Sequence, residues 1–141
     1  MQKLTKVLLV DDDSTTNFLN SSLLRRLDVA EQLLIAHNGV EALQTLDQVC
    51  SESTDSPGPM LVLLDVNMPV MNGLDFLETC QQHPLAQKCH FVVVVLTTSE
   101  HSRDLERIKK VPLAADILTK PLTREKVETI LHRHFHQNRP V

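Results

Sequence analysis

Four apolar runs in this chain stop against side chains that can do chemistry. "LLVDDD" closes on Asp11, Asp12 and Asp13, and "MLVLLD" closes on Asp65. "VVVVLTTS" passes into Thr97, Thr98 and Ser99, and "ILTKP" ends on Lys120 and Pro121. Carboxylates, hydroxyls and one ammonium suit a hard cation with oxygen ligands, Mg2+ above all, together with a phosphoryl group. Two carboxylates about 4 Å apart repel by on the order of 4 kcal/mol at an effective dielectric near 20. A divalent cation removes that penalty, and a lysine offsets the charge that a phosphoryl group adds. Only three glycines occur, Gly39, Gly58 and Gly73, which excludes a P-loop or a dinucleotide fingerprint.

These groups act together only if the chain brings the ends of the runs together. Leu4–Val10 reads as a buried strand. Phe18, Leu19, Ser22, Leu23 and Leu27 then recur at helical spacing. A short strand over 32–37 precedes a helix with Val40, Leu43, Leu46 and Cys50 on one face. Residues 51–59 read as a polar loop. Strand 60–65 follows, then a helix from Asn72–Gly73 that carries Leu74, Leu77 and Cys80 and closes near Pro84. Strand 90–97 is apolar on both faces. A charged helix over 100–110 points only Leu105 and Ile108 inward. Strand 115–120 and a final helix with Val127, Ile130, Leu131 and Phe135 complete the pattern. Five strands alternating with helices predict an α/β fold, a parallel sheet covered by helices on both faces. In such a sheet, sites form at the carboxyl ends of the strands, where all four runs terminate.

Bulk composition narrows the function. The 141 residues fit one domain, and 42% hydrophobic residues suffice for a proper core, which with so few aromatics must be aliphatic. Aromatic residues are 3%, so stacking platforms for nucleic acid are nearly absent, and a net charge of −4 argues against a phosphate-backbone binder. No run is long enough for a membrane span and no signal peptide is visible. Cys50, Cys80 and Cys89 lack metal-ligand spacing and are expected to be reduced thiols, which places the protein in the cytoplasm.

In order and spacing, "LLVDDD", "HNGVEAL", "LVLLDVNMPVMNG", "VVVVLTTS" and "ILTKP" resemble a response-regulator receiver domain, CheY-like and of stand-alone type. The resemblance spans about residues 4–135. It implies a flavodoxin-like, doubly wound sheet of order 2-1-3-4-5 with five helices, and a single domain over 1–141 with 136–141 as a frayed tail. It implies that Asp65 is the phosphoacceptor, and that Asp11, Asp12, Asp65 and the Asn67 backbone carbonyl hold Mg2+. Thr97 matches the switch hydroxyl, Lys120 the phosphoryl contact and Pro121 the cis proline beside it. The implied partners are a sensor histidine kinase and either a downstream target or a histidine-phosphotransfer protein, with no nucleic acid and no membrane. Such a protein is no enzyme beyond its own phosphorylation and dephosphorylation. It signals through the 97–135 surface and is a monomer, or a weak dimer through residues 100–135.

The chain departs from the family pattern at two places. Ile117 stands where Tyr or Phe is common, which removes the aromatic switch. Thr98 stands where Ala or another small residue is common, and its bulk is expected to slow phosphoryl transfer. Plainer readings apply elsewhere. Asp13, or Ser14, is expected to cap the first helix. His132 and His136, at helical spacing, read as a solvated helix end, and Met68 and Met71 as loop packing. One rival enzyme reading exists. "DDDST" fits the D-x-D-x-T nucleophile motif of haloacid-dehalogenase-like phosphatases, with Asp11 as nucleophile and Asp13 as acid/base. That reading lacks a later acidic pair at a strand end and leaves Asp65 without a role.

Overall fold

β-branched and leucine-rich runs build five strands, β1 (Leu4–Val10), β2 (Ala30–Ala36), β3 (Met60–Asp65), β4 (Phe91–Thr97) and β5 (Ala114–Thr119). The helices are α1 (Ser14–Arg26), α2 (Gly39–Glu52), α3 (Gly73–Gln82), α4 (Arg103–Lys109) and α5 (Arg124–Phe135). The structure is a computed structural model that describes residues 4–52, 60–66, 68, 71–82, 91–98 and 103–135. All strand pairs are parallel and the sheet order is β2-β1-β3-β4-β5, as expected.

The two-faced apolar strands are explained by two cores. Leu8, Val10, Val62, Leu64, Val93 and Val95 face one core with residues of α2, α3 and α4. Val7, Leu9, Leu61, Leu63, Val94 and Leu96 face the other, closed by α1 and α5. Successive strand residues therefore serve opposite cores, which is why Val7–Val10, Met60–Leu64 and Phe91–Leu96 are unbroken apolar runs. Pairing Val10 with Leu64 and Asp65 with Leu96 brings the ends of β1, β3 and β4 level. Thr97 pairs with Thr119, which places Lys120 beside them.

Several expected details are corrected. The buried stripe of α1 is Asn17, Ser21 and Leu24, while Phe18 and Leu19 are 71% and 60% exposed. Of the expected stripe over 18, 19, 22, 23 and 27, Leu23 and Leu27 are half-buried against the core on this side of the sheet, while Phe18 and Leu19 turn to solvent as Asn17, anchored to β1 as described below, takes the inward position. Val40 is exposed, while Leu46 and Ala42 carry the inward face of α2. α2 runs on to Glu52, so 51–52 are helix rather than loop, and 53–59 lie outside the described residues. β2 starts at Ala30, two positions early, because Leu4 pairs with it. The helix expected over 100–110 is described over Arg103–Lys109, with Leu105 and Ile108 buried as expected. Phe76, unremarked in sequence, is fully buried on α3. Cys80 is a free buried thiol, but Cys50 is disulfide-bonded, which corrects the expectation of a reduced thiol there. Among the described residues no helix is long and apolar enough to cross a membrane.

Candidate functional site

β1 delivers Asp11 at its carboxyl end, and the chain must turn at once into α1. Asp11 N–H donates to Ala36 O of β2 at 3.1 Å, which finishes the ladder. The Asp11 carboxylate Oδ1 then accepts from Asp13 N–H at 2.9 Å. Asp13 is the N-cap of α1: its Oδ1 accepts from Thr15 N–H at 3.1 Å and its Oδ2 from the Thr16 hydroxyl at 2.8 Å. Those two bonds, the hydroxyl's first, hold the Asp13 carboxyl below its ordinary pKa. Asp13 is thus occupied as a cap.

Asp11, Asp12 and Asp65 meet at the sheet's carboxyl edge. One carboxylate oxygen from each lies within 4.8 Å of the other two. Asp11 and Asp65 are buried, and Asp12 is exposed. Lys120 Nζ lies 3.0 Å from Asp11 Oδ2 and 3.0 Å from Asp65 Oδ1. Burial alone would lower the lysine's pKa, but the hydrogen bonds and charges of Asp11 and Asp65 outweigh it and raise it. Thr97, buried at 3% exposure, ends β4 next to this group, and its carbonyl accepts from Lys120 N–H at 2.7 Å. Three carboxylates against one ammonium leave an excess of two negative charges, which matches a divalent cation. Oxygens around Mg2+ sit about 2.1 Å from the ion, so a cluster of this spread fits it with small adjustments.

The structure therefore brings together Asp11, Asp12, Asp65, Thr97 and Lys120. Asn67 lies outside the described residues, so its carbonyl has no place in this account. Thr98 is exposed at the rim, and Ile117 is half-buried against the core on the side of α2, α3 and α4. The peptide bond between Lys120 and Pro121 is cis, as the resemblance implies.

Three supporting residues were not legible beforehand. Asn17, 3% exposed, donates from Nδ2 to the Asp11 carbonyl at 2.9 Å, fixing the strand end that carries the carboxylates. An asparagine in a helix carries no sequence signal for that task. Gly73 opens α3 so close to β3 that a Cβ there would lie 2.7 Å from Asp65 O and 2.8 Å from Val66 Cα. Its N–H donates to Val66 O at 2.9 Å. Lys126 reaches back from α5 to the loop that holds Lys120, through backbone carbonyls that no spacing reveals.

A five-stranded parallel sheet of order 2-1-3-4-5, with acidic groups, a threonine and a lysine at its carboxyl edge, defines a flavodoxin-like α/β domain. The family model of the response regulator receiver domain matches residues 7–132, and the chain belongs to that family. The probable chemotaxis protein CheY of Rhizobium etli is 31% identical over 130 residues, 92% of each chain. Response regulator Rcp1 of Synechocystis sp. is 34% identical over 99 residues, which is 70% of this chain and 65% of that protein. The two component response regulator of Cytophaga hutchinsonii superposes with a TM-score of 0.81 at 26% identity, covering 96% of this chain and 99% of that one. The chain spans about half, 48%, of the CpxR transcriptional regulators it also matches. It is a signalling component of a two-component system, a class that works with histidine kinases and downstream targets.

Proposed function

We propose that Asp65 accepts a phosphoryl group from a phosphohistidine on a sensor histidine kinase. The Asp65 carboxylate attacks phosphorus, the P–N bond breaks, and the histidine nitrogen leaves with the electron pair and takes up a proton. The observation that carries this reading is Lys120 Nζ at 3.0 Å from Asp65 and equally close to Asp11, at the mouth of the three-carboxylate cluster. Asp11, Asp12 and Asp65 would hold Mg2+. When bound, Mg2+ supplies positive charge against the carboxylates and the phosphoryl oxygens. Lys120 neutralises a phosphoryl oxygen, and the Thr97 hydroxyl donates to another. Drawing Thr97 inward shifts the β4 end and the elements after it, which biases the surface over 97–135 between two states. That surface docks a downstream target, or the group passes on to a histidine-phosphotransfer protein.

The apolar residues left exposed, Phe18, Leu19, Ile35 and Val40, lie on the other side, on α1, β2 and α2. Of these, Leu19 lines a cavity of about 350 Å³ between α1 and the Lys120–Thr123 segment. That cavity, walled by α1 and bordered by Lys120, supports α1 as a face that receives the kinase. The phosphatase reading loses its acid/base, because Asp13 is committed to Thr15 and Thr16.

The test is incubation with a phosphorylated kinase domain and Mg2+, followed by mapping of the acyl phosphate. Label on Asp65, absent from Asp65→Asn and from samples stripped of divalent ions, is the expected result. Label on Asp11 overturns the reading.

A further inference from the structure

Lys126 stands where helix electrostatics disfavour a cation. Thr123 caps α5: its hydroxyl accepts from Lys126 N–H at 3.2 Å and its carbonyl from Val127 N–H at 2.9 Å. Lys126 therefore lies in the first turn, at the positive end of the helix dipole, where a cation is disfavoured. Its ammonium folds back onto the preceding loop instead of into solvent. Nζ donates to Thr119 O at 2.6 Å and to Pro121 O at 2.9 Å, and lies 3.5 Å from Thr119 Oγ1. Those two carbonyls belong to the residues on either side of Lys120. The Lys120 N–H is tied to Thr97 O on β4 at 2.7 Å. The Lys120 backbone is thus fixed on one side by β4 and on both flanks by Lys126, while its own Nζ reaches Asp11 and Asp65. A residue that breaks a local rule and spends its charge on two backbone carbonyls beside a site is the pattern expected of functional support.

We propose that Lys126 is a positioning residue: by clamping the Thr119 and Pro121 carbonyls it holds the Lys120 ammonium between Asp11 and Asp65. The inference rests on the reading of Lys120 as the phosphoryl contact. Lys126 touches neither phosphoryl group nor metal ligand and acts only through the loop.

The test uses Lys126→Met and Lys126→Gln, which remove the charge, and Lys126→Arg, which keeps it. Arg124→Met is the control, since Arg124 lies in the same turn, is exposed, and pairs with Glu128. In metal-free protein, the side-chain ammonium signal of Lys120 in a 15N spectrum reports whether that group is held in hydrogen bonds. Wild type, Lys126→Arg and Arg124→Met retain the signal; Lys126→Met and Lys126→Gln lose it. With acetyl phosphate and Mg2+, the two neutral variants phosphorylate Asp65 about tenfold more slowly, as a misplaced catalytic group does. Two neutral variants guard against one failing to fold, and thermal unfolding identifies those that are intact. Folded neutral variants that keep both the Lys120 signal and the wild-type rate overturn the proposal, even if they are less stable. If wild type takes no phosphoryl group on Asp65, the functional reading fails, while the metal-free spectrum still decides the positioning role.

Discussion

Asn17 and Ser21 lie one turn apart on the buried stripe of α1, yet only one of them makes a hydrogen bond that the site uses. Asn17 Nδ2 satisfies the Asp11 carbonyl, while Asn17 Oδ1 and Ser21 Oγ are both buried with no hydrogen-bond partner among the described residues. Losing one member of a buried pair costs about 1–3 kcal/mol, while removing an unpaired polar atom is neutral or favourable. Asn17→Ala should therefore destabilise by roughly 2 kcal/mol and weaken Mg2+ binding, because the strand end behind the carboxylates loosens. Ser21→Ala should leave urea midpoints equal to or above wild type. Parallel denaturation curves of the two variants decide the matter, and equal losses would refute it. Thr98 sits at the rim and is exposed. Thr98→Ala removes a methyl and a hydroxyl from the approach to Asp65, and phosphorylation by acetyl phosphate should speed up several-fold without a change in stability. An unchanged rate would show that the rim does not limit access.

At the scale of elements, the approach of α3 to β3 sets how Asp65 is presented. Replacing a helix glycine by alanine ordinarily stabilises by about 0.5–1 kcal/mol. At Gly73 the sign reverses, because the new Cβ would press on the backbone of Asp65 and Val66 at 2.7 and 2.8 Å. Gly73→Ala should destabilise by about 1–3 kcal/mol and lower the phosphorylation rate, both from displacement of the β3 end. The same helix buries Cys80, whose thiol burial pushes up to about 11 from 9.0. Below the unfolded value both states keep the proton and the full contribution is present. As pH rises from about 9 to 11 the unfolded chain loses its proton first, so stability falls across that window. Cys80→Ala should show a flatter stability profile there, measured by denaturant unfolding at stepped pH.

The elements also show why the sequence was readable where it was. Strand runs such as 60–64 and 91–96 are apolar on every residue, and a parallel sheet with two covered faces is the economical packing for them. Asp65 and Lys120 were legible because they end such runs. The face of α1 was not, since its buried stripe is carried by Asn17 and Ser21, and hydrophobic spacing selected the exposed Phe18 and Leu19 instead. Lys126 and Gly73 act through backbone groups, and backbone contacts between distant segments leave no mark on residue types. The Cys50 disulfide was missed for a related reason: spacing along the chain does not measure distance in the fold.

For the whole molecule, the site is a conflict built into the fold: three carboxylates converge with one lysine, Lys120, in ion-pair contact with two of them. Without a cation, Asp12 repels Asp11 and Asp65 and gains nothing that offsets it. Asp12 is exposed, so solvent and salt reduce the repulsion to on the order of 1 kcal/mol. Asp12→Asn should therefore raise the metal-free Tm by about 3–4 °C, the shift that 1 kcal/mol produces in a chain of this size. Mg2+ reverses the ranking. A ligand at a hundred times its Kd stabilises the folded state by about 2.7 kcal/mol, and only a protein with its carboxylates intact gains that increment. Wild type should begin below Asp12→Asn in Tm and overtake it as Mg2+ is added, with a crossing concentration that rises with ionic strength. Thermal scans of both proteins along a Mg2+ titration test this directly. Curves that coincide at every Mg2+ concentration would mean that Asp12 neither repels its neighbours nor binds the ion, and that the acidic cluster is an ordinary solvated edge of the sheet.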